Sequence, residues 1–152
     1  MTEMTNQDGR QPQVAISLAK KALEVGERLR DGTVVISVDL ETNTALFAPE
    51  DILVGYAPFR LQDLIVRNAN ISRIHGYSDW RRITDDEGET LCKIWDKVTL
   101  PIYHGDDAPW FWFASGLFGT GRVGKRGVTA WLDIDEDCQE HVPVVRNGPA
   151  WR

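Results

Sequence analysis

Eight consecutive residues, Gly119-Thr120-Gly121-Arg122-Val123-Gly124-Lys125-Arg126, carry the spacing of two phosphate-binding motifs at once. The glycines match a dinucleotide fingerprint, and the run departs from a P-loop only at its last position. Both motifs depend on a helix that starts directly after the glycines, because its first N–H groups meet the phosphate. Here Gly127-Val128-Thr129-Ala130-Trp131 follows, and its β-branched and aromatic residues predict a strand instead. Arg126 also stands where a P-loop needs a Ser or Thr for magnesium. The segment therefore reads as an inter-strand loop that gathers Arg122, Lys125 and Arg126, with no nucleotide and no other cofactor.

Other candidate chemistry is weaker. Asp133, Asp135, Glu136 and Asp137 resemble an oxygen-ligand cation site, but an EF-hand loop needs glycine where Cys138 stands and glutamate where Val144 stands. A solvated acidic turn is the better reading. Cys92, His104, Cys138 and His141 could form a zinc tetrad, yet the paired Cys-x-x-Cys signature is absent, and no metal site is assigned. His75, His104 and His141 are each a candidate base without a matched nucleophile in the sequence. An enzyme or regulator with a histidine-containing pocket stands as the rival to a binding protein.

Composition narrows the partners. The chain has 152 residues, 42% of them hydrophobic, enough for one core without staples. A net charge of -6 and a pI near 5.0 oppose general affinity for nucleic acid or anionic membranes. Two cysteines make no disulfide framework and suit a reducing compartment. No apolar run reaches the roughly 20 residues of a membrane span, and residues 1–13 lack the hydrophobic core of a signal peptide. The expectation is a soluble protein, cytoplasmic or virion-associated.

Residues 1–12 read as a flexible tail and residues 13–152 as one domain. Val14, Leu18, Ala22 and Val25 recur at helical spacing, with Gly26 as the stop, and that face could pack on a second copy of the chain. Residues 33–38 and 45–47 read as a hairpin, and the segment between Pro49 and Pro58 as irregular. A helix carrying Leu61, Leu64, Ile65 and Asn68 follows. Another starts at Thr84, which has capping-box spacing to Glu87 ahead of Leu91, Ile94, Trp95 and Val98. Residues 100–109 read as a loop, and residues 110–114, 127–134 and 142–145 as strands. Most of the six tryptophans belong in a core; Trp131 or Trp151 is the candidate for an exposed indole. The order is α+β.

Five motifs come in sequence: Asp31-Gly32-Thr33-Val34-Val35, Gly76-Tyr77-Ser78-Asp79-Trp80-Arg81, Trp110-Phe111-Trp112, Ala130-Trp131 and Val142-Pro143-Val144-Val145-Arg146. In this order they resemble the collagen-like-adhesin C-terminal (Lcl-type) domain family of bacteria and phages. Arg82-Ile83, Phe113-Ala114 and Pro143 depart from that family's pattern. The resemblance implies a C-type-lectin-like fold: two main helices on a small, mostly antiparallel sheet, with the chain ends close together, here preceded by an N-terminal helix. It implies a non-enzymatic recognition or attachment module for a protein or glycan, such as a phage virion or surface-adhesion component. The expected contact residues are Ser115, Arg122, Lys125, Arg126 and Trp131. Trp80 is expected to be buried, with Asp79 or Arg81 bonded to backbone or to an opposite charge.

Overall fold

The computed structural model describes residues 21–104, 110–112, 120–123, 129–132 and 139–151. Its elements are β1 (Val34–Asp39), β2 (Thr44–Ala48), β3 (Leu53–Pro58), α1 (Gln62–Ile71), β4 (Arg81–Arg82), α2 (Asp85–Lys93), α3 (Trp95–Val98), β5 (Trp110–Trp112), β6 (Thr120–Val123), β7 (Thr129–Leu132) and β8 (Gln139–Gly148). The strands form one sheet in the order β1-β2-β8-β5-β6-β7, with β3 and β4 also on β8. Every pairing is antiparallel except that of β5 with β8, where Phe111 stands opposite His141. The class is mixed α+β.

Successive strand residues point to opposite faces, and here both faces are buried. Val145 joins Val34, Ile36, Leu46 and Phe111 beneath α2 and α3, whose Leu91, Cys92, Trp95 and Val98 close that layer. Trp95 stacks on Phe111 with ring centroids 5.8 Å apart. Val144, one residue earlier, faces the other way and packs with Ala69 of α1 and with Trp80. Val142 shares that face with Trp112 and Ile65. Helices therefore cover the sheet from both sides, and the β1–β2 end carries a separate cluster of Leu23, Val35, Phe47 and Ala150.

The helix at Thr84 forms as its spacing dictates. Thr84 Oγ1 accepts from the Glu87 N–H, and the Glu87 carboxylate accepts from the Thr84 N–H at 2.9 Å. Ile94, at φ -111° and ψ 13°, interrupts the apolar series and separates α2 from α3. Strand β8 is longer than the four residues expected, and Phe111 and Trp112 are buried on opposite faces of β5.

Three expectations fail. Of the predicted N-terminal helix, residues 14–20 lie outside the described residues, and residues 21–25 are not helical. Ala22 forms a bridge with Trp151, the Leu23 N–H donates to the Ala150 carbonyl at 2.9 Å, and Gly26 sits in a turn at φ +88°. Pairing with the far end of the chain overrides a short helical period. The segment after Pro49 is not wholly irregular, because it contains β3. Gly55 lets that strand approach α1, since a Cβ there would fall 2.6 Å from Ile65 Cγ2, and Pro58 ends the strand, where its missing N–H matters least. The glycine-rich inter-strand loop contains β6: Gly121 pairs with Phe111 on one side and Trp131 on the other. The helix that a phosphate motif needs is replaced by β7.

Candidate functional site

A tight turn starts the site. Asp31 Oδ1 accepts from the Thr33 N–H at 2.9 Å and from the Thr33 hydroxyl at 2.6 Å, the side-chain-to-backbone bond that favours Asp in turns. Gly32 then adopts φ +94°, and a Cβ at this position would also collide with the His75 ring. Only glycine satisfies both demands.

A second strained turn meets the first. Arg73, His75 and Gly76 all have positive φ, at 50°, 53° and 87°. The His75 Nε2 accepts from the Glu50 N–H at 3.3 Å, which anchors the turn. Tyr77 leaves it extended, with its hydroxyl donating to Asp31 Oδ2 at 2.5 Å. Trp80 is 3% exposed, and its indole N–H donates to the Ile74 carbonyl at 3.1 Å. Asn70 of α1 brackets the Trp80 backbone, accepting its N–H and donating to its carbonyl. Tyr77 meets the Trp80 ring edge-to-face at 6.1 Å. Trp80 is thus buried, as expected.

Arg146 arrives from β8 opposite Phe47 of β2. Its guanidinium lies 3.7 Å from the Tyr77 ring centroid and 5.9 Å from that of Phe47. Nε and Nη2 donate to the two Asp79 oxygens at 2.7 and 3.2 Å. That leaves Nη1 without a hydrogen bond among the described residues. Four of the residues that carry the family resemblance, Asp31, Tyr77, Asp79 and Arg146, therefore meet at one point although they span 116 positions of sequence, from 31 to 146.

Beside this point lies an open pocket of about 160 Å³. Leu23, Leu29 and Phe47 give it apolar walls, and Pro149 and Trp151 continue that lining. Asp31, Thr33, Tyr77 and Arg146 supply the polar side. Trp151 is 36% exposed, so one of the two candidate exposed indoles does reach solvent, and it does so at the pocket.

Electrostatics hold these groups in their resting forms. Burial would push the Asp31 carboxyl up, but hydrogen bonds from Thr33 and Tyr77 bring it below the ordinary carboxylate value. Tyr77 is raised, first by its bond to Asp31 and then by burial. Asp79 is lowered by the bonds from Arg146.

Two of the sequence-predicted contact residues are placed elsewhere. Arg122, on β6, pairs with Trp110 and Ala130; Trp131, on β7, pairs with Gly121 on the adjacent rung. They share a hairpin at the opposite edge of the sheet from the pocket. Ser115, Lys125 and Arg126 lie outside the described residues, as do Cys138 and the acidic residues 133–137. The three histidines have separate surroundings. His75 touches Gly32 and Glu50, a His104 ring nitrogen is 3.1 Å from the Thr99 carbonyl, and His141 meets Tyr56 with ring centroids 5.0 Å apart. Burial lowers the His141 pKa. No group of three or more His, Cys, Asp or Glu among the described residues could hold a metal ion. No helix among them is long and apolar enough to cross a membrane. No protein-family model and no curated protein matches the chain.

Proposed function

We propose that this chain is a non-enzymatic recognition module of the C-type-lectin-like, Lcl-type kind. It holds a protein or glycan at the pocket beside Tyr77, Arg146 and Trp151, and serves attachment as part of a phage particle or a bacterial surface. One observation carries this reading: the pocket's titratable groups are already committed to one another. A general base or acid works best with a pKa near the working pH. Asp31 is moved below its ordinary range and Tyr77 above its own, so neither is poised to exchange a proton at neutral pH. Paired charges beside a half-exposed indole suit binding, where aromatic and arginine side chains dominate interface energy.

Two features support the family reading. Asp31, Thr33, Tyr77 and Arg146, from three of the five motifs, line the pocket, and the described ends of the chain meet, Leu23 bonding to Ala150. The contact set expected from the sequence, Ser115, Arg122, Lys125, Arg126 and Trp131, stands as the competing proposal for the same module.

Binding of the fluorescently labelled protein to a panel of bacterial cells tests both the function and the place. Saturable binding is expected, reduced in Trp151→Ala and retained in an Arg122→Glu, Arg126→Glu double variant. The reverse pattern moves the contact to the β6–β7 edge. Failure to bind any cell, together with turnover of a substrate that depends on His141, replaces this reading with the enzyme.

A further inference from the structure

We propose that the pocket takes the side chain of a lysine on a partner protein, its ammonium held between the Asp31 carboxylate and the Trp151 indole face. This inference rests on the recognition reading and deepens it.

The charges around the pocket leave one carboxylate uncompensated. Arg146 binds both oxygens of Asp79, so those two charges offset each other, and the arginine side chain is only 15% exposed. Asp31 lines the same pocket, half-buried, but its three hydrogen bonds come from neutral groups: the Thr33 N–H, the Thr33 hydroxyl and the Tyr77 hydroxyl. It has no ion-pair partner among the described residues. The same bonds keep it ionised at neutral pH. A carboxylate in this position attracts a cation and repels an anion.

Hydrogen bonding selects the kind of cation. Asp31 Oδ1 already accepts twice and Oδ2 once, which leaves one acceptor site, on Oδ2. An arginine fork needs both oxygens of a carboxylate, whereas a lysine ammonium is a compact donor that needs one. The Tyr77 oxygen gives its own proton to Asp31 and keeps lone pairs for a second ammonium proton. Trp151 is 36% exposed, and no described cation lies over its ring, while Arg146 already occupies the face of Tyr77. Indole is the best aromatic partner for an ammonium. Leu23, Leu29 and Phe47 give the apolar wall that a lysine's methylene stem covers. About 160 Å³ suits one unbranched side chain, since clefts for drug-sized molecules start at roughly 300 Å³.

NMR titration of the intact chain tests this with four blocked amino acids, the N-acetyl methylamides of lysine, norleucine, arginine and glutamate. The lysine probe should bind with a Kd on the order of 1–10 mM, shifting the Trp151 indole signal, and binding should weaken with salt. Norleucine, the same stem without the charge, should bind at least about tenfold more weakly, as should arginine and glutamate. Asp31→Asn keeps an acceptor for Thr33 and removes the charge, so it should weaken lysine binding about tenfold or more. Trp151→Ala should weaken it roughly threefold, the size of an exposed cation–π contact. Equal binding of lysine and norleucine overturns the inference, as does lysine binding that is unchanged in a natively folded Asp31→Asn. Should that variant not fold, the lysine–norleucine comparison on the wild type decides. Acetylating surface amines of the cells, or shaving them with protease, should abolish adhesion of the labelled protein; adhesion that survives either treatment counts against a protein lysine. If the lysine probe does not bind while the labelled protein still adheres to cells, the lysine falls and the recognition module stands. If adhesion is also absent, both fall.

Discussion

Trp80 has an acid before it and a base after it, and their partners lead to different parts of the molecule. Arg81 turns toward α2. Its Nη1 and Nη2 each donate to a Glu87 oxygen at 2.8 Å, and Nε and Nη2 also reach Asn147 Oδ1. Glu87 in turn caps its own helix, so its carboxylate joins a strand to a helix start, and Arg81 adds the Asn147 side-chain amide. Asp79 turns the other way, to an Arg146 that lies on aromatic rings beside an open pocket. Both are two-pronged pairs of arginine with carboxylate. One has every arginine donor bonded, and the other keeps a donor edge that no described residue bonds. The same local chemistry can thus serve fold on one side of a tryptophan and recognition on the other, and what differs is where the far partner stands.

Trp80, common to both sides, carries the largest expected effect. Trp80→Ala should destabilise by about 3–5 kcal/mol, the range for deleting a large buried aromatic, measured by urea unfolding. A loss below about 1 kcal/mol would remove Trp80 as the shared anchor.

The scaffold pair comes next. Glu87→Ala removes a cap and two charge-assisted bonds, and should lower stability by about 2 kcal/mol after allowance for partial exposure. Burial pushes the Glu87 carboxyl up, but the bonds from Arg81 and Thr84 outweigh it and hold the pKa below its ordinary 4.5. A carboxyl depressed in the folded state contributes its full stability above its unfolded pKa, and loses it as pH falls through the folded value. The wild type should therefore lose stability on acidification from about pH 4.5 downward, and Glu87→Gln should flatten part of that slope. Identical slopes in the two proteins would erase the distinction between the pairs.

On the pocket side, Asp79 is more exposed than Glu87, with 58% of its side chain open against 22%. Asp79→Asn should cost only about 0.5 kcal/mol, as exposed ion pairs do. It should still weaken cell binding, because Arg146 loses the partner that orients it. Equal losses of stability at Glu87 and Asp79 would contradict the division of roles. Trp151 is 36% exposed, so Trp151→Ala should cost about 1–2 kcal/mol, less than Trp80→Ala, while reducing binding the most.

The scaffold side was legible in the sequence because its signals are local. Thr84 and Glu87 are three residues apart, and their spacing alone specifies the cap. Trp80 could be assigned to the core from its setting. The pocket was not legible, because it is assembled from residues 23, 31, 47, 77, 146 and 151, which no short-range period connects. Trp151 was recognisable as a candidate exposed indole, but not its neighbours. The cationic run 122–126 reads as a contact surface because its charges lie close together in sequence. Strand β6 was missed for a related reason: its glycine reads as a breaker until Phe111 and Trp131 are known to flank it. The helical period misled at residues 21–25, because Ala22 and Leu23 fit a helix and a bridged edge equally well.

Strand β8 has a consequence for how the protein is made. It pairs with β2, β3, β4 and β5, all of which precede it, and its contact of Gly148 with Ala45 closes a loop of about a hundred residues. During synthesis those four strands emerge with a shared neighbour still missing. Until residues 139–148 clear the ribosome, their apolar faces and backbone edges have no common partner. Until then those edges are open to wrong pairings, and a chaperone able to shield strand edges should raise the yield of folded protein.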